Sequence, residues 1–135
     1  MTNEVYPKAL EAFLSATIDM TSTNIKAQLV TGSYSYSSTH IYLSSVSAGA
    51  LVHTPTALTS GTVTAGYYNA NDITLTSVTT GKTATAVIVY KSTATSASSP
   101  LIAHIDTKGD TAPLAIVTNG NSVTLEWSAY GIFRI

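Results

Sequence analysis

The chain contains no cysteine, which excludes disulfide bonds and thiolate metal sites at once. Charge is nearly as scarce. Six Lys and Arg against seven Asp and Glu give a formal net charge of −1, and charged residues make up 10% of the 135 positions, where about 25% is ordinary for a globular domain. The basic residues Lys8, Lys26, Lys82, Lys91, Lys108 and Arg134 stand singly, so the basic stripe that nucleic acid requires is missing. No long apolar run exists either. The longest, at 86–90, is far too short to cross a bilayer. The opening MTNEVYPKALEAF lacks a basic stretch followed by an apolar one, and the expectation is a soluble chain made without export.

What fills the space is Ser and Thr, about 30% of the chain, together with an apolar fraction of 44%. Disordered chains are polar through charge and proline and are poor in aromatic and β-branched residues. Here Thr, Val, Ile and Tyr are abundant and ordered in pattern, so the composition describes a folded, β-rich domain with an uncharged surface. The length suits a single domain spanning 1–135 with one core. A surface this close to neutral invites association, which implies that neighbours cover part of it.

One helix is expected, at about 5–15, where Val5, Ala9, Leu10, Ala12, Phe13 and Leu14 keep helical spacing and Pro7 suits a first turn. From there the period changes to two. Ile25, Ala27 and Leu29 alternate with Lys26 and Gln28 as a half-buried strand. SYSYSST, with Tyr34 and Tyr36, reads as a short edge strand or an ordered loop, and Ser38 or Thr39 could cap a turn of helix ending at Gly49. Ser60-Gly61 is the expected tip of a hairpin. Ile73, Leu75 and Ser77 form the next strand, and Gly81-Lys82 turns into 84–90, apolar on both faces and therefore central, with Val87 and Val89 in the core. STATSASSP is a flexible-looking loop. Leu101, Ala103 and Ile105 face the core, with Ile102, His104 and Asp106 opposite. Residues 114–118 and 122–127 flank Asn119-Gly120-Asn121 as a closing β-hairpin, with Val123, Leu125 and Trp127 inward. A last strand follows Gly131. Seven to nine strands at such spacings predict an all-β fold, a β-sandwich or small barrel of jelly-roll or immunoglobulin-like type, with one short N-terminal α-helix.

Motifs that carry chemistry are missing. His40, His53 and His104 occupy no HxH or HExxH frame, and the serines include no GxSxG elbow. His104 and Asp106 share a strand face, the nearest approach to a catalytic pair, but a polar exposed face accounts for them. Asp106 and Asp110 around a turn, and Asn69, Asn71 and Asp72 before a strand, have oxygens suited to Ca²⁺, and turn formation explains both equally well. GTVTAG lacks the lysine of a phosphate loop. No cofactor, metal or catalytic residue is assigned. The eight tyrosines, against two Phe, are the distinctive chemistry, because Tyr suits positions with an apolar body and a wet hydroxyl. Tyr34, Tyr36, Tyr67 and Tyr68 lie in segments poor in core residues and are the candidate interface residues; covering the rim of the sandwich is the alternative.

The order of segments resembles a widespread group of small tailed-phage virion proteins. The likeness is carried by YPKALEAFLSATIDMTSTNIKAQLVTGSYSYSSTH, by TATAVIVYKSTATSASSPLIAHID and by SVTLEWSAYGIFRI, and it covers nearly the whole chain. Residues 71–78 depart from it by lacking an aromatic residue. The resemblance implies a structural role in the virion and no catalytic residue. Composition then favours a capsid decoration (cement) protein on the shell surface, a compact β-module that self-associates, with a homotrimer matching the shell threefolds. The expected partners are the major capsid protein or other virion proteins, with no nucleic acid, membrane or small-molecule substrate. A tail, neck or baseplate component is the main alternative, and a fibre-type host- or carbohydrate-binding module the third.

Overall fold

The computed structural model describes residues 4–21, 24–52, 55–76, 78–107, 113–127 and 131–134. The fold is all-β, a small sandwich of antiparallel sheets with one short helix. Eleven strands occur among the described residues, more than the seven to nine expected. The excess consists of strands of two or three residues, too short for a period of two to register.

The main sheet has the order β1 (Glu4–Val5), β8 (Leu101–Ile105), β7 (Thr83–Lys91), β2 (Ile25–Thr31), β3 (Thr56–Ala57). β7 is central, as its unbroken apolar run predicts: β2 and β8 flank it, and Ala86 to Tyr90 are all buried. β2 differs from expectation. Gln28 is buried, not solvent-facing, because both faces of this strand are covered; only Lys26 and Thr31 keep partial exposure. β8 shows the same correction, since His104 is only 6% exposed and the polar exposed face assigned to it does not exist.

The helix α1 (Pro7–Leu14) begins with Pro at N1 after the fully buried Tyr6. Val5 lies before it, in β1. The helix ends where Ala16 takes a left-handed φ of 59° and Thr17 N–H returns to the Ala12 carbonyl. Ala9 is its buried contact, with Ala12 and Phe13 packed partly against the core. Leu10 and Leu14 point outward, Leu14 at 91% exposure, so the apolar stripe read from the sequence is rotated from the face that packs. No helix among the described residues is long and apolar enough to cross a membrane.

The segment 32–41 is an ordered loop rather than an edge strand, and the single helix expected up to Gly49 is instead two 3₁₀ turns, Leu43–Ser45 and Ala48–Ala50, with no side-chain cap. The first hairpin joins β4 (Thr62–Thr64) to β5 (Tyr67–Asn69), and its tip is Ala65-Gly66, both with positive φ as a primed two-residue turn demands. Gly61, expected at the tip, serves packing instead: a Cβ there would lie 2.8 Å from the Tyr68 hydroxyl and 3.1 Å from the Met20 carbonyl. β5 also pairs with β11 (Phe133–Arg134), completing a three-stranded sheet. Of the strand through Ile73, Leu75 and Ser77, β6 (Ile73–Leu75) is present and Ser77 lies outside the described residues.

The closing hairpin is not formed. β9 (Ile116–Val117) pairs with β7, while β10 (Val123–Leu125) pairs with β6, so the strands on either side of Asn119-Gly120 enter different sheets. The turn chemistry is as expected, with Gly120 at φ 86° and Asn121 N–H bonded to Asn119 Oδ1. What directs the first arm away is buried Thr118. Its hydroxyl accepts from the Lys82 amide and shares its one proton between the Thr79 and Lys82 carbonyls, pinning 118 to the start of β7. The β7–β8 connection, expected to be flexible, is tied by hydroxyls around a 3₁₀ turn at Ser96–Ser98: buried Ser99 Oγ accepts from Thr93 N–H at 3.0 Å and donates to the Thr95 carbonyl at 2.8 Å.

Of the proposed core, Ile25, Leu29, Ile73, Leu75, Val87, Val89, Leu101 and Leu125 are buried. Ile105, Val123 and Trp127 pack against that cluster half-buried.

Candidate functional site

Strand register brings Glu4, His104, Ile88 and Gln28 abreast on one face of the main sheet, because each is the cross-strand partner of the next. Tyr6 and Asp106, each two residues along, point to the same side. The loop after β2 folds back over this face. Tyr34 and Tyr36 are both brought to His104, with ring centroids 5.9 and 5.7 Å from the imidazole, and Tyr36 also meets Tyr6 at 5.0 Å. A hydroxyl relay runs through the cluster: Tyr6 OH lies 2.6 Å from Tyr34 OH, which lies 2.9 Å from His40 Nδ1 at the surface.

Electrostatics follow burial. The Tyr6 hydroxyl is driven far up by desolvation and then by its bond to Tyr34. Tyr34 and Tyr36 are raised for the same first reason. Burial lowers His104, against the opposing pull of the Asp106 and Glu4 carboxylates, so its imidazole is neutral at neutral pH. His104 Nδ1 is buried with no hydrogen-bond partner among the described residues. Above these groups opens a pocket of about 250 Å³ lined by Tyr34, Ser35, Tyr36, Thr85, His104 and Asp106. A second depression, about 380 Å³, lies between α1 and the 41–42 and 98–101 segments, with Lys8, Glu11, Ile18 and Tyr42 among its walls.

The four candidate tyrosines therefore part company. Tyr34 and Tyr36 converge on His104 and Asp106. Tyr67 and Tyr68 lie on β5 in another sheet. Tyr34, at 7% exposure, and Tyr68, at 2%, correct the interface assignment: their rings are inside, Tyr68 stacked on Phe133 at 5.6 Å with its hydroxyl raised by burial. Tyr36 and Tyr67 are half-buried and keep a solvent-facing part. Tyr6 and His40 were not singled out by sequence, and no periodic signal marks them, since the site is assembled from segments about 30 and 100 positions apart.

The oxygen-rich turn is occupied with structure. Asn69 Oδ1 accepts from the Ala70 amide, Asn71 Nδ2 donates to Ser60 Oγ, and Asp72 Oδ1 accepts from Trp127 N–H while Trp127 Nε1 donates to the Asn71 carbonyl. No group of three His, Asp or Glu among the described residues is placed to hold a metal ion. His53 and Asp110 lie outside the described residues. Comparison of the chain with known protein families and with curated proteins finds no match.

Proposed function

We propose that this chain is a non-enzymatic structural protein of a tailed-phage particle, a decoration protein that oligomerises on the capsid surface and stabilises it. The observation that carries the reading is an unguarded sheet edge. β4 is the outer strand of its sheet, all three of its residues are exposed, and they are Thr62, Val63 and Thr64, with Val63 57% exposed. Strands at free edges are ordinarily protected by charge, proline or a bulge, and this one carries none of them. A near-neutral, Ser/Thr-rich surface adds no long-range repulsion between copies. Both features favour a module whose surface is covered by neighbours, and the resemblance to small tailed-phage proteins supplies the setting.

Catalysis finds little support. A general base must reach its substrate, and His104 Nδ1 is enclosed within its aromatic surround. Partners on this reading are further copies, as a trimer, and the major capsid protein. The test is copy number in purified particles, by quantitative mass spectrometry against the major capsid protein. Hundreds of copies in simple ratio to the capsid protein support decoration. A count near six or twelve moves the protein to the tail, neck or baseplate, and complete absence removes the virion reading.

A further inference from the structure

We propose that Asn119 is a site of spontaneous covalent modification: the Gly120 backbone nitrogen displaces its side-chain amide, and water opens the resulting imide to aspartate and isoaspartate. The site goes beyond the capsid reading and does not depend on it. In the first step the Gly120 amide gives its proton to solvent base and its nitrogen bonds to Asn119 Cγ. The Cγ–Nδ2 bond breaks, and ammonia leaves with a proton returned from solvent. Water then adds to one carbonyl of the cyclic imide. Opening at Cγ leaves an ordinary backbone with aspartate at 119, whereas opening at the main-chain carbonyl leaves a backbone that runs through Cβ and Cγ. Water is the sole co-reactant, and no electrons are transferred.

Three features of the turn favour the attack. First, the nucleophile is unobstructed: residues 119–121 are exposed, Gly120 has no Cβ, and its N–H has no hydrogen-bond partner among the described residues. Second, the electrophile is held and polarised. Asn119 Oδ1 accepts from Asn121 N–H at 3.0 Å, which folds the side chain back along the backbone and draws electron density from Cγ. Third, the segment is not locked. Thr118 makes the last backbone hydrogen bonds before the turn, and strand pairing resumes at Val123. The other described asparagines lack this combination. Asn24 precedes β-branched Ile25 at the start of β2, and Asn121 precedes Ser122, which carries a Cβ. The Ala70 N–H that would attack Asn69 is already bonded to Asn69 Oδ1 at 2.9 Å. Asn71 precedes the Asp72 carboxylate, which opposes loss of the intervening proton, and its Nδ2 donates to Ser60 Oγ at 3.2 Å. Modification adds one negative charge to a chain whose formal net charge is −1. The isoaspartate form also lengthens the link between β9 and β10, which belong to different sheets. Modified copies therefore accumulate with the age of the molecule.

The test ages the full chain in heavy-oxygen water, at neutral pH and one pH unit higher, and follows its peptides by fragmentation mass spectrometry. The expected result is exchange of the Asn119 amide for a carboxyl carrying one solvent oxygen, resolved as aspartate and isoaspartate isomers. Asn24, Asn69, Asn71 and Asn121 should keep their amides over the same interval. The higher pH should speed the loss by up to about tenfold, because the attacking nitrogen must first give up its proton. Asn119→Gln keeps an amide but needs a larger ring, and should stop the reaction. Should that variant fail to fold, the wild-type chain is compared folded and in urea. If the folded turn presents the site as described, the two rates at 119 agree within about threefold. Retention of the Asn119 amide, earlier loss at another asparagine, or a folded rate slower than that in urea by more than this margin would each overturn the proposal.

Discussion

The relay from Tyr6 through Tyr34 to His40 makes an asymmetric prediction. Tyr6 is fully buried, and among the described residues its hydroxyl has one partner, Tyr34 OH. Tyr34 has two, because it also meets His40 Nδ1. Tyr34→Phe therefore leaves a buried hydroxyl orphaned and should cost about 1–3 kcal/mol. Tyr6→Phe leaves Tyr34 still bonded to His40, so only a net hydrogen bond is lost, about 0.5–1.5 kcal/mol. Both substitutions keep the ring and open no cavity. In the double variant no buried hydroxyl remains, so the combined cost should fall short of the sum by about 1 kcal/mol, a coupling measurable in a double-mutant cycle. Trp127, the single tryptophan, supplies the fluorescence signal for urea unfolding. With a slope of about 1–3 kcal/mol/M for a small protein, the larger loss moves the midpoint by roughly 1 M. Equal costs for the two single variants, or strict additivity, would refute the relay.

Further outcomes follow from other sites. Burial holds His104 below its ordinary value of 6.5 in the folded state; as pH falls, the unfolded chain takes up the proton first, so stability is full above about 6.5 and declines below it. His104→Phe should flatten that part of a stability-versus-pH curve, and an unchanged slope would count against the buried imidazole. Thr118→Val should cost about 1–3 kcal/mol in urea unfolding, because it strips partners from the Lys82 amide and the Thr79 carbonyl; a loss within 0.5 kcal/mol would mean the hydroxyl does not pin the turn. Leu14→Ser should change stability by no more than about 0.5 kcal/mol, the ordinary effect at an exposed position. A loss of 2 kcal/mol would show that the helix packs on the face its spacing suggests.

Legibility in the sequence followed the range of the interaction. The central strand was readable because five apolar residues in a row, 86–90, need cover on both faces. Gln28 was misread because alternation reports that side chains point to opposite sides, not whether the second side is wet. The helix existed where Pro7 and the spacing put it, yet Leu10 and Leu14 turned outward, since β1 and Tyr6 fix its entry before the stripe can choose a face. Asn119-Gly120 made its turn, but turn chemistry is the same whether the arms pair with each other or, as here, diverge after Thr118. The pocket had no local signature at all. Tyr6 and His104 meet through strand register, and Tyr34 and Tyr36 join them because the loop after β2 folds back, neither of which periodicity encodes.

The strand order sets how such a chain must come together in time. Glu4 pairs with His104, Thr83 with Val117, Ile73 with Leu125 and Tyr68 with Phe133; among the described residues the β4–β5 hairpin and the β7–β8 pair close locally. Each distant pairing requires a long loop to be closed before its contacts can compensate, which places the protein among slow folders, about milliseconds to seconds for β-rich domains. During synthesis β1 has no partner until β8 has left the ribosome, and β5 and β6 wait longer still for β11 and β10. Until those partners are made, the open edges of the unfinished sheets are exposed to other nascent copies. Expression yield should depend on temperature and on the rate of synthesis more than the final stability would suggest.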